Sequence, residues 1–188
     1  MYLFAYGSLC GPDAASAMLG RDVVPRPAWA HGWERGWYVA IDNRASGSYA
    51  CERCGGLPAT CLVLGIRPAP GSRVLGALID ITPDDVAAIA RRERSYRMED
   101  ITAHDVAGGT VSALAAVPLR ERVAPDGANA AVAGAYEDSV RAALQGLAEA
   151  AGIGVAGARI AAPAWRRDDL RYVRGDGMMR AACRCAAP

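Results

Sequence analysis

The stretch Met1-Tyr-Leu-Phe-Ala-Tyr-Gly-Ser-Leu9 opens the chain and decides how the fold begins. Met1–Tyr6 is apolar and aromatic and contains no breaker, which predicts a buried first strand. This strand is expected to stop at Gly7 and Ser8, because glycine favours a tight turn whose backbone amides can point into a cavity. A helix is predicted over Pro12–Leu19, so the turn lies near a helix start, where amides favour negative charge. The pattern fits a purely structural turn as well as a ligand-binding one.

A second feature is a glutamate on the apolar face of a helix predicted over Pro83–Arg94. The start of this helix is well defined, because Thr82 is a suitable N-cap and Pro83 fits the first turn. Three apolar residues then recur at helical spacing: Val86, Ile89 and Ala90. The next position on the same face is Glu93. Because a carboxylate that faces the core loses its solvation, it needs a partner or a purpose. Two interpretations stay open: a buried ion pair, for instance with Arg97, or a proton-transfer carboxylate with a raised pKa.

The other predicted elements point to an α+β protein. Strands are expected at 33–41, 60–64, 74–81, 96–106 and 110–119, and a late helix at 135–151. Several of the strands are joined by segments too short for a crossover helix, which disfavours a purely parallel doubly wound sheet. We therefore expect a small mixed β-sheet or barrel packed with helices. A chain of 188 residues is long enough for one domain with a real core.

Composition narrows the classes of partner. With a formal net charge of +1, the chain has no electrostatic case for binding nucleic acid or an anionic membrane. No apolar run reaches the ~20 residues that a membrane span needs. The first apolar run has no basic segment before it and enters the predicted fold directly, so no signal peptide is expected. These observations favour a cytoplasmic protein that binds neither nucleic acid nor a membrane.

Three short motifs, in their order and spacing, resemble the gamma-glutamylcyclotransferase superfamily. They are Tyr6-Gly-Ser-Leu9, Val74-Leu-Gly-Ala-Leu-Ile-Asp80 and Arg92-Glu-Arg-Ser-Tyr96. Tyr136 also stands where the family often has a tyrosine before its late helix. The resemblance runs from Met1 to about Leu147. It implies a gamma-glutamylcyclotransferase-like domain over residues 1–151, with a C-terminal extension over 152–188 packed on the same domain.

The resemblance implies an enzyme that releases 5-oxoproline from a gamma-glutamyl peptide or amine. In that reaction the substrate's own alpha-amine attacks its gamma-carbonyl, and Glu93 serves as the general acid and base. Neither a cofactor nor a catalytic metal is expected. The residues expected to bind substrate are Tyr6, Gly7, Ser8, Leu9, Tyr96 and Tyr136. Two alternatives remain: the same reaction removing a gamma-glutamyl protecting group in natural-product biosynthesis, or a non-catalytic small-molecule binding domain of the same fold.

Three hypotheses about the cysteines are open. Cys51 and Cys54 have the Cys-x-x-Cys spacing of zinc ligands, and Cys61, Cys183 and Cys185 follow later in the chain. They can form a four-thiolate zinc site, a disulfide or redox pair, or ordinary thiols. None of them has a convincing histidine partner, so none is expected to act as a nucleophile. If the protein were instead a thiol enzyme, Cys10 would be the first candidate for its nucleophile.

Overall fold

The structure, a computed structural model, describes residues 1–46, 48–125, 130–154, 158–173 and 182–185. Five strands close into a barrel in the order β1-β4-β2-β5-β6. Their bounds are Tyr2–Ala5 (β1), Arg26–Asp42 (β2), Thr60–Asp80 (β4), Tyr96–Asp105 (β5) and Thr110–Pro118 (β6). The β1–β6 pair is parallel and the other barrel pairs are antiparallel. The expected α+β fold with a small mixed barrel is confirmed.

The long β2 and β4 pair is the frame of the barrel. Sequence patterns predicted shorter strands here, because glycine and proline interrupt the apolar runs. The pairing instead continues from Arg26 to Asp42, with a register shift between His31 and Trp33. At this irregularity Gly32 has a φ of 78°, a conformation that glycine adopts readily. The breakers therefore bend the strand pair without ending it.

Four α-helices lie outside the barrel strands in the described part of the chain: Pro12–Leu19 (α1), Asn43–Ser46 (α2), Pro83–Arg92 (α3) and Gly134–Ala150 (α4). The prediction of α1 is confirmed, and α4 lies within a residue of its predicted bounds. The apolar face of α4 is fully buried at Val140 and Leu144. It packs against the turn that follows β1, where Ala143 lies opposite Gly11. This packing holds the Tyr6–Leu9 turn against the late helix.

Helix α3 ends two residues earlier than predicted. Arg92 is its last residue and Glu93 is the C-cap, although the Glu93 amide still donates to Ile89 O at 2.9 Å. On the predicted apolar face, Ile89 is buried but Ala90 is exposed. The sequence-based end point at Arg94 was therefore wrong, because apolar spacing does not report the backbone dihedrals that end a helix.

The N-terminus of α3 carries the predicted cap. Asp85 N donates to Thr82 Oγ1 at 3.3 Å, and Thr82 N donates to Asp85 Oδ2 at 2.8 Å, which together make a capping box. We expect Thr82→Ala to lower the free energy of unfolding by about 1 kcal/mol, because the Asp85 amide at the helix start loses its Oγ1 acceptor. Urea unfolding measures this change. Thr82→Ser keeps the capping oxygen and should stay close to wild type; an equal loss in both variants would contradict the capping role.

Short strands complete the fold outside the barrel. Tyr49–Cys51 (β3) pairs antiparallel with Leu170–Tyr172 (β9), and Val132–Ala133 (β7) pairs parallel with Arg166–Arg167 (β8). Trp37 Nε1 on the barrel also donates to Ala161 O at 2.9 Å. The described parts of the predicted C-terminal extension thus contact elements from the first half of the chain. No helix in the described residues is both long and apolar enough to cross a membrane.

Candidate functional site

A cavity of about 730 Å³ opens beside the end of β1. Its walls come from the turn after β1, the segment that links α3 to β5, the start of α4, and the chain around β3 and β9. All seven residues selected from the sequence line it: Tyr6, Gly7, Ser8, Leu9, Glu93, Tyr96 and Tyr136. The fold therefore brings together residues that are up to 130 positions apart in the chain.

The turn after β1 presents backbone amides that have no partner among the described residues. Ser8–Cys10 forms a short 3-10 helix, in which Cys10 N donates to Gly7 O at 3.0 Å and Gly11 N donates to Ser8 O at 3.1 Å. Within the described part of the chain, the amides of Gly7, Ser8 and Leu9 form no hydrogen bond. Gly7 precedes this helix with a φ of −133° and a ψ of −138°.

A partly buried arginine supports this turn from behind. Arg35 Nη1 on β2 donates to Tyr6 O at 3.0 Å and to Leu75 O at 2.8 Å. Burial lowers the pKa of Arg35 to about 10, so the side chain remains a cation at neutral pH. Its positive charge lies next to the carbonyl of Tyr6, at the base of the turn. Arg35 was not predicted as a site residue from the sequence, because an arginine inside an alternating strand is usually a solvent-facing residue.

Glu93 lies at the cavity wall with its side chain 21% exposed. Burial raises the pKa of this carboxyl above its ordinary value, and the nearby Arg92 partly opposes that shift. Arg92 Nε lies 3.4 Å from Glu93 Oε1, while Arg97 pairs with Glu99 instead. The ion pair considered for Glu93 therefore exists, but with Arg92 and not with Arg97. Since the Arg92 side chain is 46% exposed, this pair holds the carboxylate only weakly.

Three tyrosines surround the carboxylate. Tyr6 OH donates to Ala116 O, and Tyr96 OH donates to Leu64 O at 2.6 Å. Burial, and then the charge of Glu93 and other neighbours, raises the pKa of Tyr6 and Tyr96 well above 10 and that of Tyr136 to about 12. All three phenols are therefore protonated at neutral pH. The hydroxyl hydrogens of Tyr6 and Tyr96 are already engaged, so these two side chains form walls of the cavity rather than proton donors to a ligand.

The far wall of the cavity was not found from the sequence. It includes Tyr49 on β3 and Tyr172 on β9, whose ring centroids lie 5.7 Å apart. Both strands are three residues long, and such short segments carry no periodic pattern. Among its charged residues, the described lining has three arginines, Arg92, Arg94 and Arg122, against Asp42 and Glu93. The cavity is therefore suited to an anionic ligand.

The described lining contains neither a cysteine nor a histidine. Cys10 is buried behind the turn, its Sγ donates to Ala5 O at 3.3 Å, and burial raises the pKa of this thiol to about 12. His31 and His104 pack edge to face with ring centroids 5.0 Å apart, on the paired strands β2 and β5. A cysteine nucleophile at position 10 is excluded by burial and by its raised pKa.

Comparison with known proteins gives no match at the level of sequence. No protein-family profile matches this chain, and no curated protein matches it. Solved structures do match. A protein described as a gamma-glutamyl cyclotransferase superposes with a TM-score of 0.57 at 12% identity, over 84% of this chain and 83% of that one.

Two further structures agree with this result. An uncharacterized protein from Homo sapiens superposes with a TM-score of 0.57 at 13% identity, over 84% of this chain and 83% of that one. YkqA from Bacillus subtilis superposes with a TM-score of 0.53 at 15% identity, over 80% of this chain and 48% of that one. At such identities the likeness establishes architecture, and function has to be argued from the site. The chain has the fold of the gamma-glutamyl cyclotransferases, as the sequence motifs led us to expect.

Proposed function

We propose that this protein is a gamma-glutamylcyclotransferase-type enzyme that releases 5-oxoproline from a gamma-glutamyl peptide or amine. The observation that carries the proposal is the meeting of Glu93 and the free amides of the Tyr6–Leu9 turn in one cavity. The cavity has a volume suited to a small molecule. Its surplus of arginines favours a substrate with a free carboxylate, as a gamma-glutamyl group has.

The reaction needs little chemistry from the protein. The alpha-amine of the substrate forms a C–N bond to its own gamma-carbonyl carbon and closes a five-membered ring, while the gamma-amide C–N bond breaks. No external nucleophile enters, which agrees with a described lining without cysteine or histidine. The protein has to hold the substrate in a curled conformation, and such positioning is worth many powers of ten in rate.

Glu93 is the group assigned to the proton transfers. Its carboxylate takes a proton from the substrate ammonium, which frees the amine lone pair for attack. The resulting carboxylic acid then gives this proton to the departing nitrogen. The second proton, which the attacking nitrogen loses as it becomes the lactam nitrogen, passes to the amine through the same carboxylate, so the amine leaves as an ammonium ion and no net proton is gained or lost. The raised pKa of Glu93 brings the carboxyl closer to neutrality, where one group serves as base and as acid.

The turn is assigned to binding and charge stabilisation. The amides of Gly7, Ser8 and Leu9 are free to donate to the alpha-carboxylate or to the oxyanion that develops on the gamma-carbonyl. The Arg35 cation, which binds the carbonyl of Tyr6, adds positive potential at the same place. Tyr6, Tyr96 and Tyr136 enclose Glu93 and keep its surroundings poor in water.

Incubation with a panel of gamma-glutamyl amino acids, gamma-glutamyl amines and glutathione tests the proposal. Mass spectrometry should find 5-oxoproline from at least one substrate class, at a rate well above that without protein. The preferred leaving group identifies the physiological class, including any biosynthetic intermediate that carries a gamma-glutamyl protecting group. Saturable binding of these compounds without 5-oxoproline would favour the non-catalytic binding domain. Neither binding nor product from any member of the panel would overturn the proposal.

A further inference from the structure

Four cysteine sulfurs meet outside the cavity. The Sγ atoms of Cys51, Cys54, Cys183 and Cys185 all lie within 4.8 Å of one another. Two of these pairs, Cys51 with Cys185 and Cys54 with Cys183, are 3.6 Å apart. All four cysteines are free thiols in the structure, and the sequence separates the two halves of the group by 129 residues or more. Cys61, also open as a ligand from the sequence, is not part of this group.

The separations match a tetrahedral metal centre. A Zn–S bond of about 2.3 Å places the sulfurs of a regular tetrahedron roughly 3.8 Å apart. A disulfide requires about 2.05 Å between its two sulfurs, and it does not explain why a second pair of sulfurs lies at the same place. The observed distances of 3.6 Å agree with the edges of such a tetrahedron. Soft thiolate ligands in this geometry select zinc among the divalent ions of the cell.

The backbone brings the two halves of the cluster together. The turn Cys51–Cys54 is closed by Gly55 N donating to Cys51 O at 2.8 Å, and Gly55 has a φ of 68°. A Cβ built on Gly56 would lie 2.8 Å from the Cys183 backbone, so glycine is needed there for the close approach. Cys183 N then donates to Leu57 O at 2.8 Å. The ligands are therefore held in position by main-chain contacts as well as by their own spacing.

A buried arginine faces the sulfurs. Arg167 is 5% exposed, and its Nη2 lies 3.1 Å from Cys51 Sγ while its Nη1 lies 3.7 Å from Cys183 Sγ. Asp169 fixes this guanidinium through both carboxylate oxygens, at 2.7 and 2.8 Å. Asp169 Oδ2 also lies 3.5 Å from Cys51 Sγ and 2.6 Å from Arg53 Nε. Four thiolates around Zn²⁺ carry a net charge of −2, and donors from arginine compensate such charge in the outer shell of a metal site.

We propose that Cys51, Cys54, Cys183 and Cys185 bind one Zn²⁺ in a closed structural site. The ion fastens residues 182–185 to the Cys51–Cys54 turn and has no open position for substrate. Its effect on the cavity is indirect: β3 carries Cys51 in the cluster and Tyr49 in the cavity wall, and β9 carries the neighbouring Tyr172. The site stands independently of the proposed reaction, because it rests on the sulfur geometry and on Arg167.

Metal analysis of the full chain, purified with a reductant and without added metal, tests the site. We expect one zinc per chain by mass-spectrometric elemental analysis, and X-ray absorption should report four sulfur neighbours at about 2.3 Å. Less than a tenth of an equivalent, persisting after Zn²⁺ is added under reducing conditions and the excess is removed, would overturn the proposal. So would a sulfur count of two or fewer, or the finding that the four cysteines remain paired as disulfides in the chain purified with a reductant.

Variants separate a zinc site from general damage to the fold. Cys54→Ser changes an exposed position and should reduce bound zinc at least tenfold; it should also lower the Tm by at least ~5 °C, since metal binding contributes folding free energy. Cys61→Ser is the control: this cysteine is buried in the hydrophobic cluster that contains Cys51 but is not part of the thiol group, so zinc content should stay stoichiometric. A strong chelator should lower the Tm of wild type but not that of Cys54→Ser. Equal zinc in both serine variants would contradict the assignment.

Discussion

Replacing Glu93 by glutamine is expected to lower kcat by at least about a hundredfold, the range seen when a general acid–base is lost. Glutamine keeps the size of the side chain but neither accepts nor returns a proton. The alpha-ammonium of a bound substrate would then keep its proton, and the departing amine would have no donor. Steady-state assays that measure 5-oxoproline check this expectation. KM should change little, because Glu93 is assigned to proton transfer and not to substrate binding.

The same substitution, Glu93→Gln, is expected to preserve or increase stability although it lowers turnover. Burial raises the pKa of Glu93 in the folded protein, so its contribution to stability is fully present below the unfolded pKa and is lost as pH rises through the folded pKa. At neutral pH the ionised side chain is therefore a cost that glutamine removes. The Tm of Glu93→Gln should equal or exceed that of wild type at neutral pH, with the difference shrinking in acid. Near-normal turnover, or a Tm well below wild type at neutral pH, would contradict this account of Glu93.

Gly7→Val is expected to reduce kcat/KM by roughly a hundredfold or more, the scale on which misplacing a substrate slows a reaction. A Cβ at Gly7 meets only Leu64 Cδ2, at 3.4 Å, and both residues line the cavity. The first added carbon therefore fits, while the two further methyl groups of valine enter the space beside the free amides. The expected loss follows from occupied cavity volume.

Two milder variants at the same turn provide the comparison. Gly7→Ala adds only the carbon that fits and should lose less than about tenfold in kcat/KM, against the much larger loss expected for valine. Ser8→Ala removes a hydroxyl but keeps the backbone amide to which the binding role is assigned. All three proteins should unfold near the wild-type Tm. Equal losses in Gly7→Ala and Gly7→Val, or wild-type kinetics in Gly7→Val, would show that substrate does not lie against this turn.

Much of the architecture was predictable from local patterns. The first strand and α1 were predicted because an apolar run stops at Gly7 and a proline-led helix follows. Helix α4 was predicted because its buried residues recur at helical spacing. The continuous β2–β4 pair was not, because its glycines and prolines suggest separate strands while the paired partner carries the ladder through them. The continuity of the two strands depends on their pairing with each other, so the sequence of either strand alone does not predict it.

The candidate site, too, was predictable from the sequence only in part. The seven residues taken from the sequence meet in one cavity, because each stands at the end of an element whose position the fold fixes. Arg35, Tyr49 and Tyr172 were missed, since their part in the site depends on which carbonyls or rings they face. The sequence likewise left the cysteines open among zinc, disulfide and free thiol. The proximity of Cys183 and Cys185 to the Cys51–Cys54 turn is visible only in the three-dimensional structure.

In the proposed reaction the substrate attacks itself and water takes no part. A matched pair of compounds distinguishes this reaction from hydrolysis: a gamma-glutamyl amine that is turned over, and the glutaryl amide that differs only by lacking the alpha-amine. Each is incubated with the protein in water labelled with heavy oxygen, and the products are identified by mass spectrometry. We expect unlabelled 5-oxoproline from the first compound and no cleavage of the second. Labelled glutamate from the first, or labelled glutarate from the second, would show hydrolysis and contradict the proposed reaction.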